Sequence, residues 1–256
     1  MPNAPRGRRP SATAPRAQAA PRHGLARVLS KRGLCSRTQA AQWIEAGRVA
    51  LNGRIVRDPE TPVDATRDRI AIDGVEADAR ERIYLMLNKP RGHVTTAADE
   101  HDRTTVYALL GDAGLPWVAP VGRLDKASEG LLLFSNDSAW AAAITSPQSQ
   151  LDKTYHVQID RLPDAALIAA LQAGVDDRGE HLAAKSVREL RRGEKNAWLE
   201  IVLDEGRNRQ IRRLLAVFGI GVLRLIRVAI GDLALGALPK GAWRRLSAEE
   251  AARLLC

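Results

Sequence analysis

The sequence predicts an α+β protein in two parts, a small helix–helix–sheet module followed by a larger domain of mixed strands and helices. Three observations lead there. Near the N-terminus, apolar residues recur at helical spacing and then give way to a hairpin signal. Further on, strand-like and helical runs are interspersed without strict alternation, which favours α+β over a doubly wound sheet. The length of 256 residues suits a small unit plus a medium one, and a hydrophobic fraction of 45% supports a core.

Residues 1–22 are Pro, Ala, Arg and Ser with almost no large apolar side chain. Such a segment cannot bury enough surface to offset its ordering entropy, so a disordered basic tail is expected. Leu25, Val28 and Leu29 then share a helical face, with Gly33 as C-terminal cap. Ser36 starts a second helix, with Gln39 in the capping-box position and Ala40, Trp43 and Ile44 as its apolar side. Val49 and Leu51, the turn Asn52-Gly53, then Ile55 and Val56 predict a hairpin. The module is expected to span 23–74, and the polar stretch Val75 to Arg82 to be a linker.

The second domain, 83–256, opens on a strand at Ile83–Leu87. Further strands are predicted at Gly130–Phe134, Thr154–Ile159 and Trp198–Leu203, with a helix over Asp164–Gln172. Ser247 and Glu250 cap a last amphipathic helix ending at Leu255. No internal repeat at a solenoid period is present.

The net charge is +9, and its distribution says more than its sum. Met1 to Ile44 holds nine Lys or Arg residues and no carboxylate, whereas 30 basic residues meet 30 acidic ones from Glu45 onward. An arm and small module that bind a polyanion would look like this, with Arg27, Lys31, Arg32, Arg37 and Arg48 as candidate contacts. A secretory signal lacks its apolar region, and no run approaches the roughly 20 apolar residues of a membrane span. An Arg-rich, acid-free start also resembles an organelle transit peptide. Cys35 and Cys256 are too few for a disulfide framework, and His23, His93, His101, His156 and His181 form no metal-ligand spacing. A reducing cytoplasm and no metal are the expectation.

Dinucleotide, P-loop and nucleophile-elbow motifs are missing. Three loops remain. Gly122-Arg123-Leu124-Asp125-Lys126-Ala127-Ser128-Glu129-Gly130-Leu131 carries an Asp that, alone, reads as a turn former. Asp152-Lys153-Thr154-Tyr155 opens a strand in which Tyr155, Val157 and Ile159 share a face. Asp204-Glu205-Gly206-Arg207-Asn208-Arg209-Gln210-Ile211-Arg212-Arg213 starts a helix with Ile211, Leu214, Leu215 and Phe218 as its apolar side. Four arginines at a helix N-terminus oppose the helix dipole, which suits an anionic ligand better than a solvated face.

Together with Leu87-Asn88-Lys89-Pro90-Arg91-Gly92, these loops resemble the bacterial ribosomal-RNA pseudouridine synthase family. The N-terminal module resembles the alpha-L RNA-binding domain shared with a ribosomal small-subunit protein. The resemblance covers about His23 to Leu246 and implies a mixed, mainly antiparallel catalytic sheet, ribosomal RNA as partner and no cofactor. It makes Asp125 the nucleophile, Tyr155 the platform under the target base and Arg212 the cation pairing with the catalytic carboxylate. Leu225 becomes an apolar base contact. Lys89, Arg91, Arg123, Lys126, Arg207, Arg209 and Arg213 become grips on the RNA backbone. Residues 224–232 and 241–244 look closer to large-subunit members than to the small-subunit one. Attack on the sugar, attack on the ring and a glycal intermediate all remain open, as do a transfer-RNA substrate and a non-catalytic assembly factor of the same fold. The enzyme is expected to be a cytoplasmic monomer.

Overall fold

A computed structural model describes residues 22–96 and 103–255. The tail predicted over 1–22 therefore lies outside the described residues except for Arg22, as do His101 and Cys256.

In the first module β1 (His23–Gly24) leads into α1 (Leu25–Lys31) and α2 (Arg37–Glu45). There follow β2 (Val49–Leu51), β3 (Arg54–Ile55), β4 (Pro62–Val63), β5 (Ile70–Ile72) and β6 (Val75–Glu76). Ser36 starts α2 by accepting from Gln39 N–H at 3.0 Å. Leu25, Val28, Leu29, Ala40 and Ile44 close on Val49, Val63 and Ile70 in one apolar core. The main sheet has the order β3-β2-β5-β6, and this corrects the predicted boundary. Asp73 and Gly74 both have positive φ, 49° and 82°, and form a tight hairpin that sends Val75–Glu76 back along β5. Ala77 is buried in the module's core, so only about 78–82 is left of the predicted linker. Both residues of β6 are exposed, which is why the stretch lacks a strand's alternation.

The short linker is clipped at both sides. Arg80 N–H donates to Arg32 O at 2.9 Å, and Arg82 donates to Lys31 O and Asn136 O at 3.1 and 3.2 Å. The buried Asn136 accepts from Ile83 N–H and donates to Glu81 O.

The second domain comprises β7 (Tyr84–Lys89), β8 (Ala119–Val121), β9 (Glu129–Ser135), α3 (Ser138–Thr145), β10 (Lys153–Ile159) and α4 (Ala165–Ala173). It continues with β11 (Val175–Asp177), β12 (Glu180–Leu182), β13 (Ser186–Arg192), β14 (Ala197–Leu203), α5 (Gln210–Val217) and β15 (Val222–Ile230). β16 (Leu233–Ala234), β17 (Trp243–Arg245) and α6 (Ala248–Arg253) complete it. The large sheet runs β13-β14-β10-β15-β9-β7-β17, with β16 beside β15 and β8 beside β9. Within it β15–β9 pairs parallel and the other pairs are antiparallel, so the sheet is mixed and mainly antiparallel. All seven residues of β9 are buried, because apolar groups cover both faces of that strand. α4 and α5 cover the β10–β14–β15 half, where Val157, Ile159, Leu199 and Ile201 meet Leu171, Ile211, Leu214 and Leu215. Ser247 and Glu250 form the full capping box of α6. No helix among the described residues is long and apolar enough to cross a membrane.

Candidate active site

Asp125 lies in the loop between β8 and β9, in a turn closed by Ser128 N–H donating to Asp125 O at 2.9 Å. The end of β7 straps this loop down. Lys89, fully buried, donates through Nζ to Pro90 O, Asp125 O and Ser128 O at 3.1, 3.1 and 2.8 Å. Gly92 N–H donates to Lys126 O and the Thr95 hydroxyl to Leu124 O. The expectation that Lys89 grips RNA is thereby corrected, since its ammonium has no surface to offer. Burial pulls its pKa down to about 8, against the pull of Asp125 and Glu129.

The strand that follows is held equally closely. Gly130 has φ +100° and pairs with Arg227 on β15, and a Cβ added there would overlap the Arg227 carbonyl oxygen. Gly130→Ala is expected to lower stability by about 3 kcal/mol or more, because neither the backbone angle nor the space can be met. Urea unfolding checks this; an unchanged midpoint would contradict it. Next to it Glu129, 1% exposed, accepts two bonds of 3.0 Å from Arg224 and one of 2.6 Å from Lys240. Burial alone would raise its pKa, but those two cations hold it below the usual carboxylate value.

The arginine-rich loop divides its cations in a way the sequence does not show. Arg213 is tied to Asp177 and Glu180 at 2.5 Å each and to Asp177 O at 2.9 Å. Arg207 pairs with Glu205 at 2.8 Å. The β11–β12 hairpin and the loop's own carboxylate thus engage two of the arginines expected on phosphate, while Arg207 still borders the cavity that holds Asp125. Gln210, buried at the start of α5, binds Glu205, Ala183 O and Arg207 N–H and fixes the loop's course. Arg209, the residue before α5, has a left-handed backbone (φ +51°), a conformation costing a non-glycine residue of the order of 1 kcal/mol. Its guanidinium meets the Asp125 carboxylate at 3.4 Å. The hydrogen-bonded partner of Asp125 is therefore Arg209, not Arg212 as expected. Arg212 reaches Val222 O and Ala127 O at 3.5 and 3.4 Å and interacts with Asp125 through its charge. Burial, with Arg209 and Arg91 nearby, lowers the pKa of Arg212.

Asp125, Arg123, Arg209 and Arg212 line one cavity of about 500 Å³ together with Tyr155 and Leu225. That volume is within the range of about 300–1,000 Å³ usual for ligand sites. Tyr155 stands on β10 directly opposite Arg227 of β15, and Leu225 opposite Val157. Arg91 and Lys126 are exposed beside the loop. In the first module Arg27, Lys31 and Arg37 are exposed, whereas Arg48 pairs with Asp73 at 2.5 Å and Arg32 donates to Ala77 O at 2.8 Å.

Several lining groups escaped sequence reasoning. Ser128, Lys153 and Arg227 also border the cavity. Ser128 Oγ, Arg212 Nε and Arg227 Nη2 are buried and without a hydrogen-bond partner among the described residues. All three residues border the one cavity, and each unpaired buried group costs roughly 1–3 kcal/mol. The alternation of β15 carried a signal: Arg227 is two residues from Leu225, hence on its inward face.

A sequence model of RNA pseudouridylate synthases matches residues 83–217, and one of the S4 domain matches residues 24–70. An uncharacterized RNA pseudouridine synthase of Rickettsia bellii is 37% identical over 87% of this chain and 96% of its own. The ribosomal large subunit pseudouridine synthase B of Bacillus subtilis is 32% identical over 90% of this chain and 94% of its own. A crystal structure of a pseudouridylate synthase matches with a TM-score of 0.62 at 30% identity, over 91% of this chain and 99% of the other.

Proposed function

The chain belongs to the family of RNA pseudouridine synthases that carry an S4 domain, and from that premise we propose that it isomerises a specific uridine of ribosomal RNA, in the large subunit rather than the small. Asp125 is the nucleophile. The observation that carries this is the shared cavity, in which a carboxylate paired with Arg209 lies with Tyr155, Leu225 and three unpartnered polar atoms. Isomerisation breaks the N-glycosidic bond, turns the freed uracil and rejoins it through carbon, so it needs no redox partner, energy source or cofactor. Two guanidinium groups lie near the Asp125 carboxylate, Arg209 at 3.4 Å and Arg212 acting through its charge. Drawing the base out of its stack costs a few kcal/mol, and a tyrosine platform returns about 1–3 kcal/mol by stacking. On this reading the exposed Arg91, Arg123 and Lys126 hold the flanking phosphates. The large-subunit preference rests on residues 224–232 and 241–244 and on the name of the Bacillus subtilis relative. On this reading the enzyme works as a cytoplasmic monomer.

Unmodified large-subunit RNA, small-subunit RNA and transfer RNA, incubated in parallel and mapped for pseudouridine, test the substrate. One modified position in large-subunit RNA is expected; modification of transfer RNA alone would overturn the assignment. Removal of residues 1–77, the tail and the S4 module, is expected to weaken RNA binding and lower its salt slope by about two units or more. Arg27, Lys31 and Arg37 each release counterions when they meet phosphate. Binding titrations over a range of salt check this, and an unchanged slope would contradict it.

A further inference from the structure

Arg227 stands in an unusual place for a cation. It is only 7% exposed, on a strand flanked by β10 and β9. The register sets it opposite Tyr155, and residues directly opposed on neighbouring strands present their side chains on one face. Both line the Asp125 cavity. Nε donates to Leu131 O at 2.8 Å, which fixes the guanidinium, while Nη2 is buried with no partner among the described residues. The charged neighbour it acts on is Lys153, another cation, whose pKa is lowered first by its own burial and then by Arg227. Ser128 contributes the second orphan: it is 1% exposed, three residues after Asp125 and two before the Gly130 that pairs with Arg227.

A packing role does not account for this arrangement. A methionine would fill the same space without leaving a charged donor unpaired, a loss of roughly 1–3 kcal/mol and more for a charge. An acceptor from the ligand would remove that loss. Phosphate oxygens suit the exposed cations beside the site, Arg91, Arg123 and Lys126. The face shared by the buried Arg227 and Leu225 and the half-buried Tyr155 is partly apolar, and it suits a flat neutral ring with oxygen at its edge.

We propose that Arg227 is a specificity-determining residue: its Nη2 donates to a carbonyl oxygen of the displaced uracil, and Ser128 Oγ makes a second polar contact with the same nucleotide. This rests on the cavity being the uridine site. It goes further by naming what reads the base. Cytosine carries an amino group in place of the C4 carbonyl, so a donor aimed at O4 would meet a donor there and reject it, whereas O2 is common to both bases.

Sulfur is a weak acceptor, so the test replaces the carbonyl oxygens. A large-subunit RNA fragment containing the uridine that the wild type modifies is prepared with uridine, 2-thiouridine or 4-thiouridine at that position, and single-turnover rates are measured. The wild type is expected to slow about ten- to hundredfold on one thio substrate, the range for losing a hydrogen bond to a charged group. Arg227→Met is expected to slow by a similar factor on uridine and to show no further loss on that thio substrate. Arg227→Lys keeps a cation and should fall between; it carries the test should the methionine variant fail to fold. A variant that slows on every substrate while keeping the wild-type thio effect would make Arg227 merely structural and overturn the proposal. So would loss of sensitivity to a phosphorothioate next to the target in place of the thio-base effect, which would assign the cation to phosphate. A wild type that converts no uridine in any of these RNAs overturns the underlying reading and this inference together.

Discussion

Asp125→Asn is expected to reduce turnover by at least about 10⁴-fold while leaving RNA affinity within about threefold of the wild type. The amide keeps the shape of the carboxylate but has no anionic oxygen to attack with. Little else should move. The loop's carbonyls are held by the Lys89 ammonium, the Gly92 N–H and the Thr95 hydroxyl, and none of these bonds involves the Asp125 side chain. Arg209 loses its partner at 3.4 Å, but it is half exposed and water can take over. Removing one negative charge beside a basic rim should, if anything, strengthen binding at low salt. Single-turnover assays with filter binding on the same preparations check both halves. An affinity loss beyond tenfold would mean that Asp125 positions RNA.

Lys89→Met should have the next largest effect, and it separates a buried strap from an RNA contact. The substitution leaves Pro90 O, Asp125 O and Ser128 O without their donor, and roughly 3 kcal/mol of stability should go with them. Activity should fall about a hundredfold or more as the Asp125 loop loosens, since small misplacements of a reacting group are costly. RNA affinity should stay within about threefold; a large loss would return Lys89 to the binding surface. The amine also predicts a pH signature. Its pKa is about 8 in the folded protein against the usual 10.5, so between those values the unfolded chain binds more protons. Wild-type stability relative to the variant should therefore rise as pH rises from about 8 to 10.5, and the gain should vanish as pH falls through 8. Urea unfolding at pH 7.5 and 9.5 measures the difference.

Much of this architecture was legible in the chain. Leu25, Val28 and Leu29 announced α1, Ser36 and Ser247 announced their helices, and continuous apolar runs announced β7 and β9. The Asp125 loop, Tyr155 and Leu225 do meet at one cavity. What stayed hidden depends on distant partners. Nothing local says that Asp177 and Glu180 fold back onto Arg213, or that Glu205 takes Arg207 and leaves Arg209 for Asp125. Lys89 follows a strand and precedes a proline and an arginine, a setting that reads as surface. It becomes buried only because the Asp125 loop closes over it. β13 was missed because four charged residues, Arg188, Glu189, Arg191 and Arg192, dilute its alternation at the sheet's edge. The Asp73-Gly74 pair is a hairpin signal in itself, but the strand behind it, Val75–Glu76, is exposed at both residues and lacks a strand's alternation.

The central claim is that the cavity holding Asp125, Tyr155 and Arg209 isomerises a uridine in RNA. Its most direct test is a single-turnover reaction of the wild-type protein and Asp125→Asn with unmodified large-subunit ribosomal RNA, read by pseudouridine mapping at single-nucleotide resolution. The account predicts one position converted by the wild type and none by the variant, with both proteins binding the RNA equally well. Bound RNA with no pseudouridine from the wild type, or equal conversion by the two proteins, would contradict it.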